Sequence, residues 1–374
     1  MNLLYLIPDR VGGTETYARE LLRSFVGIAP GDLSFTLFVN PSAWDSFAWA
    51  DNTPGWQRVL CPVPASASLR HLWEQRHFPK LCRRYQVDLL HSLAYVLPLR
   101  AKCRQIVTIH DALFLTGPGH LSLLKRWFWG IFVPRSARRA DAVVTDSENS
   151  RRDLVRLLGL DPGKVHSILL GAGQPLPAAT QWNELKNRYE IEQPYFISVG
   201  ALPHKRLDLS ADALQKVRVA HPAASLVVAG RSHEQPSDAG RAPGVHYVGY
   251  VPGADLAGLF AHAASLVCAS EVEGFGLPVV EAMRLGTPAI VSDRGSLPEV
   301  AGDAGIVIPY GDAAALAAAM ENVMAPEVRR RLGEQGREQA RRFSWERCAR
   351  ETLSVYAAVL GIPAPAPASL SGGS

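Results

Sequence analysis

The sequence predicts an α/β protein made of two doubly wound sheets whose strands are mostly parallel. Short apolar runs of strand length alternate with helical patterns through both halves of the chain, and such alternation is typical of parallel sheets. The 374 residues are enough for two domains, each with its own core. A stretch rich in Pro and Ala at residues 174–181 predicts the linker between the domains.

Six strands are predicted in each half of the chain. In the first half they are residues 3–7, 34–39, 87–91, 105–109, 142–145 and 167–170. In the second half they are residues 195–200, 225–229, 245–248, 265–268, 289–292 and 305–308. These runs are too short for helices, and helical patterns lie between most of them, which indicates buried strands joined by helical crossovers.

Residues 270–283 are the stretch around which the second half is organised. A strand leads into a glycine-broken loop, and Pro278 then suits the first position of a helix. A helix start leaves backbone N–H groups unpaired and carries partial positive charge, so it can hold a phosphate. Glu273 lies in the loop before this anion site, and Glu281 lies in the first helical turn. A ligand across the loop can place its diphosphate on the N–H groups and a hydroxylated ring near each carboxylate.

The two glutamates also have a plain structural interpretation, in which they favour the helix N-terminus electrostatically. That interpretation suits Glu281. It does not explain Gly274 and Gly276, which weaken the segment before the helix but let a ligand approach the backbone closely. We therefore favour a binding function for this stretch, and we expect residues 291–300 to support the loop.

Two cations follow the first strand of the second half, in the loop that Gly200 opens. Lys205 acts as a point charge and Arg206 donates forked hydrogen bonds, so both suit a diphosphate. Ligands of open α/β sheets bind at the carboxyl ends of the strands, which favours binding over the alternative of two surface cations. Gly230 and Arg231 end the next strand on the same side.

Three further strand ends carry candidate ligand groups. Tyr250 and Val251 follow a strand of the second half and can hold a nucleobase through backbone contacts and a flat side chain. Gly12 and Gly13 form a tight turn between strand and helix, for which ligand binding and turn chemistry are equally good explanations. His110 lies just past the end of a strand. A lone His is more often structural, but this position favours function.

Positive charge is concentrated in the first half. Residues 1–175 contain 21 Lys and Arg and 14 Asp and Glu, whereas the remainder contains 18 and 21. The basic and aromatic segments 69–85 and 121–139 are interpreted either as amphipathic helices on a membrane surface or as packed helices with a solvated basic face. The charge asymmetry favours contact with anionic lipid or with a phosphorylated acceptor. Nucleic acid is disfavoured as a partner because the chain contains no recognised binding motif.

The sequence predicts a protein of the reducing cytoplasm. Its five cysteines are scattered and form no Cys-x-x-Cys pair. Residues 1–7 lack a basic lead and a small-residue cleavage site, so they predict a first strand and not a signal peptide. No apolar run is long enough to span a bilayer. Together with the basic helices, these features predict a cytoplasmic protein at the inner face of the plasma membrane.

Taken together, these stretches resemble the retaining glycosyltransferases of family 4, which have the two-domain GT-B fold. The resemblance covers nearly the whole chain before the C-terminal tail. Its most specific part is the family's Glu-x7-Glu element, present here as Glu273 through Glu281 with Gly-Phe-Gly-Leu-Pro between them. Supporting matches are residues 12–15, 108–111, 199–200 with Lys205, 248–250, 286–288, 297–299 and 343–346.

The resemblance implies a role for each candidate residue. Glu281 would hold the donor ribose, Glu273 would contact the hydroxyls of the donor sugar, and Lys205 would bind the diphosphate. His110 would lie beside the transferred sugar, so His110 and Glu273 are the implied catalytic residues. The implied donor-binding residues are Gly12, Gly13, Gly200, Lys205, Arg206, Gly230, Arg231, Tyr250, Val251, Phe275, Gly276, Leu277 and Glu281.

The same resemblance leaves one cation undecided and implies the domain plan. Many family members have an Arg just before the lysine. Here His204 stands at that position and Arg206 follows the lysine, so either can complete the diphosphate clamp. The chain contains no Asp-x-Asp, which predicts transfer without a metal or another cofactor.

The implied domains face each other across a cleft. They comprise residues 1–176 for the acceptor, residues 177–345 for the donor, a final helix at 346–360 that returns to the first domain, and a disordered tail at 361–374.

The implied reaction moves a hexose, with mannose from GDP-mannose as the favoured donor, to a glycan or polyprenyl-linked acceptor of a bacterial surface polysaccharide. Breaking the sugar–diphosphate bond develops negative charge on the leaving group, which the cations and the helix N-terminus stabilise. Attack from the same face retains the anomeric configuration without an enzyme nucleophile. Two alternatives stay open, a sugar-nucleotide epimerase of the same fold and a non-catalytic nucleotide-sugar-binding partner.

Overall fold

The computed structural model describes residues 1–8, 12–64, 66–116, 123–172, 179–230 and 242–364. The chain divides into two compact units, one made of Met1–Gly171 with the chain from Trp345 onward, the other of Ala172–Ser344. The predicted domain boundaries were residues 176/177 and 345/346, and they lie near the two points where the chain passes from one unit to the other. Of the predicted linker at residues 174–181, the first five residues, 174–178, lie outside the described residues.

The first unit contains a seven-stranded parallel sheet. Its strands are β1 (Asn2–Leu3), β2 (Phe35–Val39), β3 (Trp56–Leu60), β4 (Leu89–Ser92), β5 (Arg104–Thr108), β6 (Ala142–Thr145) and β7 (Val165–Ser167). Their order across the sheet is β3-β2-β1-β4-β5-β6-β7. Central strands are apolar on both faces because helices cover both, and Val107 and Val143 pack with Val133 and Leu154 of those helices.

The second unit contains a six-stranded parallel sheet. Its strands are β8 (Tyr195–Val199), β9 (Ser225–Ala229), β10 (Val245–Gly249), β11 (Leu266–Cys268), β12 (Ala289–Ser292) and β13 (Ile306–Ile308), in the order β10-β9-β8-β11-β12-β13. Buried Phe196, Val267 and Ile290 of the strands pack against Leu214 and Leu316 of the helices. The predicted fold class of two doubly wound, parallel α/β domains is confirmed.

Helices connect the strands in both units. In the first unit they are α1 (Gly13–Ile28), α2 (Ala67–Arg84), α3 (Leu113–Thr116), α4 (Leu123–Arg139) and α5 (Glu148–Leu158). In the second unit they are α6 (Trp182–Tyr189), α7 (Leu207–Ala220), α8 (Gly253–His262), α9 (Leu277–Leu285), α10 (Leu297–Ala301), α11 (Ala313–Met324) and α12 (Pro326–Ala340). The last helix, α13 (Trp345–Leu360), belongs to the first unit. In the part of the chain that the structure describes, no helix is long and apolar enough to cross a bilayer.

Three strands of the first sheet differ from the prediction: one was missed, and two have other bounds. Strand β3 was missed because it lies at the sheet edge, where its side chains are half-buried or exposed and some of its residues are polar. Strand β1 is two residues long, not residues 3–7, because the chain turns where Leu6 N donates to Leu3 O at 3.1 Å. Strand β7 ends at Ser167, although the apolar run continues to residue 170. In the residues after β1 and after β7, the apolar composition reflects burial and does not indicate that the strand continues.

Helix α13 is anchored to the first sheet by a buried hydrogen-bond chain. The Tyr356 hydroxyl lies 2.6 Å from His91 Nδ1, and His91 Nε2 lies 2.8 Å from the Thr108 hydroxyl. Burial lowers the pKa of His91 to about 3, so its ring is neutral and joins the two hydroxyls as one donor and one acceptor. The chain leaves the first unit after Gly171 and returns to it at Trp345. These two residues are in contact, because Gly171 lies directly against the Trp345 backbone with no space for a Cβ.

Each sheet has one point where the strand order reverses. In the first sheet β1 pairs with both β2 and β4, and in the second sheet β8 pairs with both β9 and β11. The connections on the two sides of such a point leave in opposite directions, which opens a crevice at the carboxyl ends of the two central strands. A ligand site is therefore expected at the loops after β8 and β11 in the second sheet, and at the loops after β1 and β4 in the first.

Candidate functional site

The loops after β8 and β11 bring Lys205 and Glu273 together. Lys205 Nζ donates to Glu273 Oε1 at 2.5 Å, and their side chains are only 16% and 13% exposed. Because β8 and β11 flank the reversal point of the second sheet, this ion pair spans the crevice at its carboxyl edge. The two residues are 68 positions apart in sequence, and the prediction that both serve one ligand site agrees with this contact.

Both members of the pair are held in their charged forms. Burial acts to raise the pKa of Glu273, but the Lys205 ammonium and the Ser270 hydroxyl at 2.7 Å outweigh burial and lower it. Burial acts to lower the pKa of Lys205, but the Glu273 carboxylate outweighs burial and raises it. The contacts converge on Oε1 of Glu273, and Oε2 accepts no hydrogen bond from the described residues. That oxygen is available to a hydroxyl of a ligand.

Two glycines let the lysine lie close to the sheet. Gly200 has φ +93°, and a Cβ there would come 3.2 Å from Lys205 Cε. Gly230 has φ +127°, and a Cβ there would come 3.1 Å from Gly200 N. The glycines therefore allow the ends of β8 and β9 to approach and the lysine stem to rest on them. Of the neighbouring predicted residues, Tyr250 is exposed and Val251 is buried, and Arg231 lies outside the described residues.

Arg206 is engaged differently from Lys205. Its guanidinium donates to the Asp208 carboxylate and, at 2.8 Å, to the Tyr310 hydroxyl, and these hydrogen bonds raise the pKa of Arg206. Asp208 thus neutralises much of the Arg206 charge. By contrast, the charge of His204 is near enough to help lower the pKa of Glu273. Asp208 and Tyr310 are contacts that the sequence reasoning missed.

Gly276 and Pro278 stand at the start of α9, the helix that follows the β11 loop. Gly276 is the residue before α9 and has φ +103°, and Pro278 is the second helical residue, where the prediction had the first. The Phe275 ring is buried edge-on against Phe343 with centroids 5.6 Å apart, so its side chain belongs to the core and only its backbone can meet a ligand. Leu277, like Glu281, is half-buried.

Glu281 differs from Glu273 because it has no cation beside it. Burial raises the pKa of Glu281 to about 7. Glu281 is the fifth residue of α9 and lies beyond the first turn in which it was predicted, because the helix begins at Leu277. The two carboxylates have opposite tendencies: Glu273 stays ionised, whereas Glu281 exchanges its proton near neutral pH. Separated pKa values of this kind in one loop are typical of functional carboxylates.

The segment after β12 holds the Glu273 loop in place, which confirms the expected support from residues 291–300. Ser296 Oγ lies 2.7 Å from the Phe275 carbonyl and 3.0 Å from the Glu273 carbonyl. Gly295 has φ +59°, and a Cβ there would come 2.7 Å from Glu273 O and 2.9 Å from Glu273 N. The loop backbone is thus fixed by contacts that only these small residues permit.

The predicted residues of the first unit lie at the matching edge of their own sheet. Gly12 precedes α1 with φ +59°, and Gly13 is the first residue of that helix. A Cβ on Gly12 would meet none of the described residues within 4 Å, and the positive φ is what requires glycine there. The Gly12 position therefore has space at the helix start for a ligand.

His110 is buried and both of its ring nitrogens are engaged. Nδ1 lies 2.7 Å from Asp146 Oδ2, and Nε2 lies 3.0 Å from the Leu93 carbonyl. Burial acts to lower the pKa of His110, but Asp146 and further acceptors outweigh it and raise the pKa. Because both partners are acceptors, the ring donates from both nitrogens as an imidazolium. Asp146 was not among the predicted site residues, and the adjacency of β5 and β6 is what brings it to His110.

The described residues contain no group of three His, Cys, Asp or Glu side chains placed to hold a metal ion. Within the same described residues, all five cysteines are free thiols. The charges available at the second-sheet site are therefore those of Lys205, Glu273 and their neighbours, together with the backbone amides at the start of α9.

Comparison with known proteins places this geometry among transferases of activated sugars. The family model Glycosyltransferase Family 4 matches residues 11–172, and the model Glycosyl transferases group 1 matches residues 183–339. The chain is 30% identical over 290 residues to O-antigen chain mannosyltransferase B of Escherichia coli, and the alignment covers 73% of this chain and 75% of that relative.

Solved structures share the two-domain architecture. Sucrose-phosphate synthase of Thermosynechococcus elongatus superposes with a TM-score of 0.73 at 20% identity, covering 94% of both chains. HepE of Anabaena, solved in complex with UDP-glucose, superposes with a TM-score of 0.72 at 16% identity, covering 94% of this chain and 98% of HepE. At these identities the likeness shows the fold alone.

Proposed function

Because the chain belongs to glycosyltransferase family 4 and is a glycosyltransferase of the GT-B type, we propose that it moves a hexose from a nucleoside-diphosphate sugar to a glycan or polyprenyl-linked acceptor, with retention at the anomeric carbon. The Lys205–Glu273 pair at the reversal point of the second sheet carries this proposal. The mannosyltransferase relative from Escherichia coli favours mannose, with GDP-mannose as donor, and a surface polysaccharide as the pathway product.

In the proposed complex the diphosphate takes the place of Glu273 at the Lys205 ammonium. The exchange frees the Glu273 carboxylate to accept hydrogen bonds from hydroxyls of the donor sugar, while Glu281 accepts hydrogen bonds from the ribose. His204, whose charge already acts on Glu273, is the better second cation, because Arg206 is neutralised by Asp208. The nucleobase then lies toward the end of β10.

The proposed chemistry follows from charge. As the bond between sugar and diphosphate breaks, negative charge grows on the leaving oxygen, where Lys205 and the amides at the start of α9 stabilise it. The acceptor hydroxyl attacks from the face the diphosphate leaves and passes its proton to the departing phosphate oxygen, which gives retention. The chain supplies this positive charge itself, so we propose that transfer is independent of a metal.

The first unit contributes His110 in this proposal. Its bond to Asp146 is charge-assisted and is the stronger of its two hydrogen bonds, so Asp146 fixes the ring orientation. A hydrogen bond from Nε2 to the transferred sugar would replace the one to the Leu93 carbonyl. His110 would thus donate to the sugar and not act as a base.

A donor and acceptor panel tests the proposed function. We expect release of nucleoside diphosphate from GDP-mannose, or from another sugar nucleotide in the panel, only when an acceptor glycan is present, with EDTA having no effect. The anomeric configuration of the product, read by NMR, should match the donor. An epimerase would convert the donor without releasing nucleotide, and a non-catalytic binder would leave the donor unchanged, so either result would reject the proposal.

Donor binding should depend on pH through Glu281. The ribose hydroxyls require its carboxylate, whose pKa is raised to about 7 by burial, so affinity should rise with pH and be roughly tenfold or more weaker at pH 5.5 than at pH 8. A sugar nucleotide is the suitable titrant because it has no terminal phosphate that titrates near pH 6.

The matched variant Glu281→Gln should bind the sugar nucleotide more weakly at pH 8 and show no such pH dependence. Without ligand, the wild-type protein should lose stability relative to Glu281→Gln as pH rises from about 4.5 to about 7, because the folded state binds the extra proton in that range. Equal pH profiles for both proteins would contradict the role of Glu281.

We further propose that the first unit rests on an anionic membrane surface, at the inner face of the plasma membrane of the cytoplasmic compartment. Leu69 and Leu72 of α2 are 55% and 66% exposed. Arg76, Lys80 and Arg83 are exposed on the same face of the helix, which their spacing of three to four residues creates. An apolar patch continued by basic residues suits the headgroup region of a bilayer.

Helix α4 extends this patch. Trp127 is 64% exposed, and the neighbouring Phe128 stacks on His71 of α2 with ring centroids 4.9 Å apart, which joins the two helices. Lipid-linked acceptors reside in the membrane, so a protein that uses one gains from surface contact.

The double variant Leu72→Ser/Trp127→Ser should reduce binding to phosphatidylcholine vesicles that contain phosphatidylglycerol by roughly tenfold or more. Val219→Ser is the control, because Val219 is 85% exposed but lies on α7 in the second unit. Binding by sedimentation that is equal in all three proteins would reject the membrane patch.

A further inference from the structure

A cavity lies at the edge of the second sheet opposite Lys205. Its volume is about 600 Å³, and we name it the amino-edge pocket. Its walls include the residues just before β8, β11 and β12, among them Pro194, Ala264 and Pro288, and one face of α12. Because the strands are parallel, their amino ends lie at the edge away from the donor site, so this pocket is a separate place in the fold.

Close packing of two helices shapes this pocket. A Cβ on Gly333 of α12 would overlap the Gly286 carbonyl at the end of α9, and a Cβ on Gly336 would come 3.3 Å from the Met283 side chain. These glycines let α12 lie directly against α9. The pocket wall is therefore set by rigid helix packing and is present without a ligand.

Three guanidinium groups line the pocket, against one carboxylate. Arg330 is paired with that carboxylate, Glu334, at 2.9 Å. Arg337 donates to the Leu285 carbonyl at 3.1 Å and its guanidinium covers Gly286, so it caps the end of α9. Arg329 is half-buried, and its guanidinium makes no hydrogen bond or ion pair with the described residues. The pocket thus has a net positive lining and one guanidinium whose donors are unused.

We propose that the amino-edge pocket binds a phosphate-bearing small molecule, with Arg329 as its main ligand. A guanidinium presents paired donors that match phosphate oxygens, and the volume is that of a small-molecule site. Arg337 adds a second donor group when it turns from the Leu285 carbonyl to the ligand. The pocket is too positive for a neutral sugar to be its preferred occupant.

The position of the pocket gives its ligand a route to the donor site. Helix α9 carries Glu281 and starts at the Glu273 loop, and its other end, at Leu285 and Gly286, forms the wall that Arg337 caps. A ligand that draws Arg337 away from Leu285 alters the support of α9 and so the affinity for donor. This coupling rests on the proposed function, whereas binding in the pocket does not.

Pyrophosphate titrations of the full chain, followed by calorimetry, test the proposal. The wild-type protein should bind two molecules, one at Lys205 and one in the amino-edge pocket. Arg329→Gln should lose or weaken the second site by roughly tenfold or more, and Lys205→Ala should lose the first. Arg331→Gln is the control, because Arg331 is exposed on the same helix but does not line the pocket, and it should keep both sites.

The pattern of losses separates the two proposals. A site that Arg329→Gln removes and Lys205→Ala leaves intact supports the pocket even if no transferase activity is found. A wild-type stoichiometry of one that Arg329→Gln does not change, or an equal loss in Arg329→Gln and Arg331→Gln, overturns it. Thermal midpoints of Arg329→Gln and Arg331→Gln, which change only a half-buried and an exposed arginine on α12, should stay near that of the wild type.

Discussion

Lys205→Ala should lower hexose transfer by about 10²- to 10³-fold and should also weaken binding of free nucleoside diphosphate. The lysine is the only cation that the structure places on Glu273 by a direct hydrogen bond within the described residues, and the proposed diphosphate position depends on it. Its removal leaves the buried Glu273 carboxylate without the ammonium that pairs with it, so the variant should also unfold at a lower temperature.

Initial rates, nucleotide titration and thermal unfolding measure these effects. Lys216→Ala is the control, because Lys216 is exposed on α7 and is not one of the site residues, so it should behave as wild type. Near-normal transfer by folded Lys205→Ala would contradict the assigned role.

Glu273→Gln should separate binding from catalysis. In the free protein Glu273 holds Lys205 and must give it up to the diphosphate, so its neutral amide should leave affinity for nucleoside diphosphate equal to or higher than in wild type. Transfer should still fall by orders of magnitude, about 10²-fold or more, because the sugar loses a charged acceptor. If Glu273→Gln instead lost nucleotide binding and kept turnover in proportion to occupancy, Glu273 would be a nucleotide ligand and not a sugar ligand.

Gly295→Ala should lower transfer by about 10²-fold although residue 295 makes no proposed contact with a substrate. The new Cβ would come within 2.7 Å of Glu273 O and 2.9 Å of Glu273 N, so the loop must move and carry its carboxylate away from Lys205. Displacements of about 1 Å at a catalytic group cost rates of this order. Steady-state rates with the preferred donor measure the effect.

Gly311→Ala is the matched control for the backbone. Both glycines have positive φ, +59° and +84°, so either alanine strains the chain by about 1 kcal/mol. At Gly311, however, a Cβ would meet nothing within 4 Å, so only stability should fall. Equal rates for the two variants would show that the loop tolerates displacement and that Gly295 is not a positioning residue.

Most of the fold could be predicted because buried parallel strands are apolar on both faces. The runs that became β6, β9 and β12 were placed at their observed bounds for this reason. The edge strand β3 escaped prediction because an edge strand is only partly covered and tolerates polar residues. The turns after β1 and β7 were predicted as strands, because burial makes the composition of these turns as apolar as that of a strand.

The site could be predicted only as far as topology determines it. Loops that end neighbouring strands must meet, which allowed Lys205 and Glu273 to be assigned to one site from sequence. Which partner each side chain selects depends on packing, so the ion pair of Arg206 with Asp208 and its hydrogen bond to Tyr310 were not predicted. The His110–Asp146 pair likewise required the order of β5 and β6.

A crystal structure of the chain with a bound nucleoside diphosphate tests the central claim most directly. The account predicts diphosphate oxygens within hydrogen-bond distance of Lys205 Nζ and of the first amides of α9, with the ribose on Glu281. Glu273 should then have released the lysine. Nucleotide bound elsewhere on the chain, with the Lys205–Glu273 pair intact, would contradict it.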